Sequence, residues 1–317
     1  MSKDLKINPR GRTRIDPRGR TRIDPRGRTI NGSAMTLWIL CPLMAFGLAG
    51  CGWYKPDEGV PSYLYVDSMI LETSPETQGT LSANIKDVWV FIDGDLQGAF
   101  PLPARIPLLK EGPVNLQLSA GVFLNGISAT RAIYPFYNRW DTLRTLARGL
   151  TDTLRPRLTY RNTVRYLWLE NFDNLGFGMR ARLGSDTVLL RDSNSDSVME
   201  GTSCLRMAVD QRAPYLIAES IDQIALTPGK PCFLEINYRN NIPLQVGLQS
   251  QVGSDISDPL WIVELAPSTG WNKQYINFTP YLGMVGGARY RLMLRPFLAS
   301  STQGTGVVRV DNLKWLQ

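Results

Sequence analysis

From Tyr63 onward the chain alternates apolar and polar residues with a period of two, in short runs cut by Gly, Pro, Asn and Asp. Successive side chains on a strand point to opposite faces, so this pattern confines the fold to half-buried β-strands. Over 62–160 no helical period survives. The clearest piece is Asp87-Val-Trp-Val-Phe-Ile-Asp-Gly-Asp-Leu-Gln-Gly-Ala-Phe100. A strand through Ile92 meets Asp93-Gly94, a two-residue hairpin signal, and the chain returns from Leu96 to Phe100. Pro101, Pro103 and Pro107 confine the next stretch to loops or edges. Alternation resumes from Trp140 to Ala147, and a turn near Arg148-Gly149 with a return through Leu150–Leu158 predicts a second hairpin. Residues 62–160 are expected to form a small antiparallel β-sandwich.

The remainder, 165–317, predicts further strands at Arg165–Glu170, Ser203–Val209, Phe233–Arg239, Leu244–Gln249, Trp261–Leu265, Gln274–Phe278, Tyr290–Leu294 and Val307–Leu316. Turn-rich segments separate them, as in a jelly-roll sandwich. The chain of 317 residues exceeds the length of roughly 150 expected of one domain, so two folded domains fit it. The expected class is all-β: a small antiparallel β-sandwich followed by a jelly-roll β-sandwich, after a disordered leader and a signal peptide.

Residues 7–30 repeat an eight-residue unit of the type Ile-Asp-Pro-Arg-Gly-Arg-Thr-Arg, too polar and too rich in Pro and Gly to bury a core. Residues 1–34 are therefore expected to be a disordered basic leader. Thr36–Gly50 is an apolar run of fifteen residues, short of the roughly 20 needed to span a bilayer but suited to the h-region of a signal peptide. Its end, Leu48-Ala49-Gly50-Cys51, resembles the lipobox of bacterial lipoproteins. That resemblance implies cleavage after residue 50, lipid on the Cys51 thiol and attachment to a membrane. Residues 51–61 then read as a tether. Gly52 is similar to the sorting signal for the outer membrane, and Lys55, Asp57 and Glu58 to the export signal of surface lipoproteins of the Bacteroidota. The side of the outer membrane is left open.

Charge and composition narrow the function. Ten of the 35 Lys and Arg but only three of the 28 Asp and Glu lie in residues 1–50, leaving 25 of each sign after it. The basicity belongs to the leader, and a nucleic-acid partner loses its support. Histidine is absent, which excludes Ser-His-Asp, Cys-His and His-ligated zinc chemistry. No carboxylate pair is nominated for glycoside hydrolysis. A non-enzymatic envelope protein binding a glycan or a protein partner is expected, with a structural or assembly subunit of an outer-membrane complex as the alternative.

The Val-Phe-Ile-Asp-Gly-Asp-Leu-Gln-Gly turn resembles PEGA-type surface β-domains, and 124–137 is similar to a segment of uncharacterised Bacteroidota lipoproteins. Within it Arg131 and Tyr134, with Phe136 and Tyr137, are candidates for an exposed aromatic and cationic patch; the competing reading packs them beneath a loop. In the second domain, Glu170-Asn-Phe-Asp, Gly-Thr-Ser-Cys-Leu-Arg-Met, Phe-Leu-Glu-Ile-Asn-Tyr-Arg, Gly-Trp-Asn-Lys-Gln-Tyr-Ile-Asn-Phe and Val-Arg-Val-Asp-Asn-Leu-Lys-Trp follow the order seen in galactose-binding-like and carbohydrate-binding-module jelly rolls, which they resemble. The resemblance implies a structural calcium tying first strand to last, with Glu170 and Asp311 at the matching positions. Asp192-Ser-Asn-Ser-Asp196 also spaces oxygens as a calcium loop does, although Ser197 and Ser203 stand where such a loop needs Gly and Glu. For a sugar, Trp261, Arg239 and Gln245 are the ligand candidates; Trp271 and Tyr238 read as core. Cys204 and Cys232 have opposite strand parity, so two free, mostly buried thiols are expected.

Overall fold

The structure, a computed structural model, describes residues 59–282, 289–300 and 302–317. The basic leader, the apolar run, Cys51 and most of the tether lie outside the described residues. Among the described residues no helix is long and apolar enough to cross a membrane.

Asp87–Ile92 and Asp95–Pro101 pair antiparallel around Asp93 and Gly94, whose φ angles are 52° and 93°. Two successive left-handed residues are what a type I′ turn needs, and Asp-Gly reaches that conformation at low cost. Asp87–Ile92 pairs in turn with the long strand Gly112–Phe123, whose far edge takes Arg131–Ile133 and Trp140–Leu146. Ser62–Val66 lies between Ala104–Leu108 and Thr151–Leu154 in a smaller sheet. Its Leu64, Val66, Ile106 and Leu108 share one buried cluster with Val88, Val90 and Leu116 of the larger sheet. Pro107 sits in an edge strand of this smaller sheet, where a missing N–H is tolerated.

The hairpin expected over 140–158 does not form. The turn is there: Gly149 has φ 72° and Leu150 N–H donates to the Ala147 carbonyl at 3.2 Å. Its flanks part, however. Trp140–Leu146 stays in the larger sheet, whereas Thr151–Leu154 crosses over and runs parallel to Ser62–Val66. Leu146 and Leu154 thereby enter the same core from opposite sheets. Alternation specifies which face a residue takes; it does not specify the strand's partner.

In 165–317 each of the eight expected strands is present, with its ends moved, and every pairing is antiparallel. A six-stranded sheet is built around Gly306–Leu316, flanked by Cys204–Val209 and Phe233–Asn240, with Ser268–Asn277 beyond. A seven-stranded sheet is built around Leu244–Val252 and Arg289–Pro296. Leu205, Met207, Leu234, Ile236, Val308 and Val310 from the first meet Leu244, Val246, Leu248, Leu292 and Leu294 from the second. The additional strands, such as Met179–Ala181 and Ala218–Ser220, are too short for alternation to reveal.

The six-stranded sheet is buried on both faces. Its outer residues Phe233, Tyr275 and Leu316 belong to the core of the first sandwich, and Gly59–Gln317 forms one compact unit. Between the two sandwiches lies a closed polar cluster. Glu235 is 0% exposed, Lys273 3% and Lys314 1%. Glu235 accepts from the hydroxyls of Tyr134 and Tyr160, each at 2.8 Å, and pairs with Lys273 Nζ at 2.7 Å. Lys314 Nζ donates to the Thr80 carbonyl at 2.7 Å and to Tyr160 at 3.2 Å. Burial alone would raise the Glu235 carboxyl, but the Lys273 and Lys314 charges hold it below the usual carboxylate range. Burial pushes the Lys314 ammonium down to about 7, against the pull of Glu235.

Candidate functional site

The outer face of the seven-stranded sheet is left open by the first sandwich. Leu244–Val252 sends Leu244, Val246 and Leu248 into the core, so Gln245, Gly247, Gln249 and Gln251 take the other face. On its neighbour, Tyr290, Leu292 and Leu294 point inward, and Arg289, Arg291, Met293 and Arg295 point outward. Register places Gln245 opposite Arg295, Gln249 opposite Arg291 and Gln251 opposite Arg289. The face therefore carries a ladder of Gln–Arg pairs with Gly247 and Met293 at its centre.

The rungs are held in place. Arg295 Nε donates to Gln245 Oε1 at 2.7 Å, and Gln245 Nε2 donates to Glu264 Oε2 at 2.9 Å. The Arg295 guanidinium also stacks over the Trp261 ring at 4.3 Å, the indole standing opposite Gly247 in the register. A β-bulge between Val246 and Gly247 brings the Leu260 carbonyl against Gly247, where a Cβ would collide with backbone. Gly247 is therefore required by close approach.

Trp261 and Gln245 are thus brought together, as the sequence nominated them, but Arg239 is not with them. It lies on the six-stranded sheet, donating to the Asp196 carbonyl at 2.9 Å, beside a separate groove with Asn241 and Arg309. Tyr134 is 0% exposed and Phe136 and Tyr137 are buried, so these aromatics pack the junction instead of presenting a patch. Tyr134 donates to Glu235, and burial raises its hydroxyl pKa well above the ordinary value. Arg131 reaches the surface alone, paired with the buried Asp87 and stacked 4.8 Å over Phe123.

The two calcium candidates are satisfied by the chain itself. Glu170 accepts from the N–H groups of Phe172 at 2.7 Å and Gly178 at 2.5 Å, tying the turn that follows its strand. Asp311 accepts from Asn312 N–H at 2.8 Å, and burial pushes its carboxyl up to about 7. The carbonyls of Phe172 and Asn174 and the Ser203 hydroxyl all receive the Arg191 guanidinium. A side-chain cation thus occupies the loop after Glu170. Among the described residues, no group of three or more His, Cys, Asp or Glu is placed to hold a metal ion. Asp192 is taken by Arg309 Nε at 2.8 Å. Cys204 and Cys232 are free and buried, and burial pushes both thiols up to about 12. Cys204 faces the Ser197 carbonyl at 3.4 Å, whereas Cys232 enters the jelly-roll core and accepts from Trp315 Nε1 at 3.2 Å.

Sequence reasoning missed Arg295, Glu264 and the arginines at the other end of the ladder. The signal was present in Arg289-Tyr-Arg-Leu-Met-Leu-Arg295 and in Leu244-Gln-Val-Gly-Leu-Gln-Ser-Gln251. Arg and Gln recur there at every second or fourth position, opposite an apolar set.

No protein-family model matches the chain, and a search of curated proteins found no match. Among solved structures it is similar to a carbohydrate-binding module of the β-sandwich superfamily described for promiscuous specificity, at 15% identity and TM-score 0.37, over 73% of this chain and 85% of that one. A family 16 carbohydrate-binding module gives 13% identity and TM-score 0.30, over 43% and 88%. A variant of a family 29 module gives 11% and 0.32, over 49% and 92%. Likeness of this degree carries no weight on what the chain binds.

Proposed function

We propose that this chain is a non-enzymatic binding protein that holds a glycan along the open face of its seven-stranded sheet, and that lipid on Cys51 keeps it at the outer membrane. The Gln–Arg ladder beside Trp261 is the observation that carries the binding reading. Outward residues on one strand repeat about every 7 Å; Gln245 is bonded to Arg295, and Gln249 and Gln251 stand opposite Arg291 and Arg289 in the register. Sugar hydroxyls both donate and accept, and such rows offer both functions at regular spacing. Because Arg295, Gln245 and Glu264 brace one another, little side-chain freedom is lost on binding. The half-buried indole adds an apolar edge to this polar row.

A glycan array probed with the full mature chain, repeated with Trp261→Ala, tests the binding reading. Retention of defined glycans by the parent and their loss in the variant is expected. Equal retention would refute this face as the site. The anchor is tested by palmitate labelling, which Cys51→Ala is expected to abolish.

A further inference from the structure

We infer that the ligand of this face is an acidic saccharide whose carboxylate or sulfate is received in the groove at the far end of the ladder; the inference rests on the glycan reading above. That groove has a volume of about 490 Å³ and is lined by Arg180, Arg182, Arg291, Glu219, Gln249 and Gln251, with apolar walls at Leu183 and Ile256. Three guanidinium groups therefore meet one carboxylate. Glu219 is only 6% exposed and is spent on Arg180, whose Nε lies 2.8 Å from its Oε1. Arg291 is oriented by uncharged groups, the carbonyls of Ser220 at 2.6 Å and of Ile221. Its orientation is fixed, and no carboxylate lies within ion-pair distance of it among the described residues. The Arg182 guanidinium has no hydrogen-bond or ion-pair partner among the described residues, although its own N–H is tied to the Ile217 carbonyl at 2.8 Å.

Two cations without a carboxylate partner among the described residues, side by side in one groove, give it a local positive potential. A carboxylate, or a sulfate ester through two of its three terminal oxygens, matches the guanidinium fork. Gln249 also lines the groove, 4% exposed, with its Nε2 committed to the Ser257 carbonyl at 2.8 Å. Residues 51–317 carry 25 charges of each sign, so this concentration is a local arrangement and not an overspill of net charge. Single-stranded nucleic acid needs successive aromatic platforms for its bases. Here the ladder offers one indole, already stacked by Arg295.

The test is calorimetric titration of the full mature protein with de-esterified oligogalacturonate, its fully methyl-esterified counterpart, a sulfated neutral glucan and duplex DNA. At least about tenfold tighter binding of an acidic saccharide than of the ester is expected, weakening with added salt. Comparison of the carboxylated and sulfated probes identifies the anion. Arg182→Gln, at an unpartnered side chain, is expected to cost about tenfold with an unchanged melting temperature, and Arg182→Lys to recover part of it. Equal binding of acid and ester would overturn the inference and leave the glycan reading standing. DNA binding as tight as that of the acidic saccharide would overturn it too, as would Arg182→Gln binding like the parent. Absence of binding to these probes together with an empty glycan array would overturn both readings.

Discussion

Glu235→Gln removes one charge from the closed cluster between the sandwiches and preserves its shape. Glu235 is the carboxylate that pairs with Lys273 among the described residues, at 2.7 Å, and its charge also acts on Lys314. Both lysines are buried, so the substitution removes the carboxylate paired with Lys273 and leaves Lys314 with the more weakly acting charge of Glu200. Removing one partner of a buried pair costs about 3–5 kcal/mol. The sign of the pH dependence follows from the lysines. A lysine with a folded pKa below its unfolded value of about 10.4 costs most at and below the folded value, where both states are charged. As pH rises between the two values the unfolded chain binds more protons, so stability increases by up to about 1.4 kcal/mol per unit for each such lysine. In the parent this window opens at about 7 for Lys314. Urea denaturation of parent and variant is expected to show a deficit of about 3–5 kcal/mol near neutral pH that widens as pH falls below about 7, because loss of the Glu235 charge lowers the Lys314 ammonium further. Adding Lys273→Met to Glu235→Gln should recover part of it, as the coupling of a contacting pair requires. A variant within about 1 kcal/mol of the parent near neutral pH, with no added pH slope, would refute the view that this carboxylate neutralises the junction.

Asp311→Asn tests the buried carboxyl on the strand that carries Lys314. Its folded pKa, raised to about 7 by burial, means the folded chain binds more protons than the unfolded one between about 4 and 7, so this group removes stability as pH rises through that window. The variant should flatten that part of the melting-temperature profile and gain up to about 4 kcal/mol near neutral pH; a variant less stable than the parent above about pH 7 contradicts it. Gly247→Ala forces a Cβ against the Leu260 carbonyl, and a loss of about 1–3 kcal/mol is expected from the backbone shift. Because Trp261 lies opposite Gly247, glycan retention should fall with it, and an unchanged melting temperature would show that the bulge yields freely.

Local patterning was enough for most of the strands. The Asp93-Gly94 hairpin depends on two adjacent residues that tolerate positive φ, a property contained in the dipeptide itself. The opposite parity of Cys204 and Cys232 places one thiol in the jelly-roll core and the other outside it, so their separation was also legible. Trp261 and Gln245 could be nominated because each strand's outward set is visible in one dimension.

What the chain alone could not decide was which face meets which. Glu235 alternates with the inward Leu234 and Ile236 and stands opposite Lys314, yet the first sandwich covers that outer face and encloses both with Lys273 in an ion cluster. The sequence left Tyr134 between an exposed patch and packing beneath a loop, and the same contact holds it buried. Arg239 left the sugar candidates because its strand joined the other sheet, and the strands at 140–158 parted for the same kind of reason. Side-chain alternation has a range of a few residues. Strand partnership and the covering of a sheet face are decided by contacts a hundred or more residues apart, such as Tyr134 with Glu235 and Lys314 with Thr80. The sequence therefore determined the strands and their two-sided character, and only the tertiary structure decided which of those sides faces water.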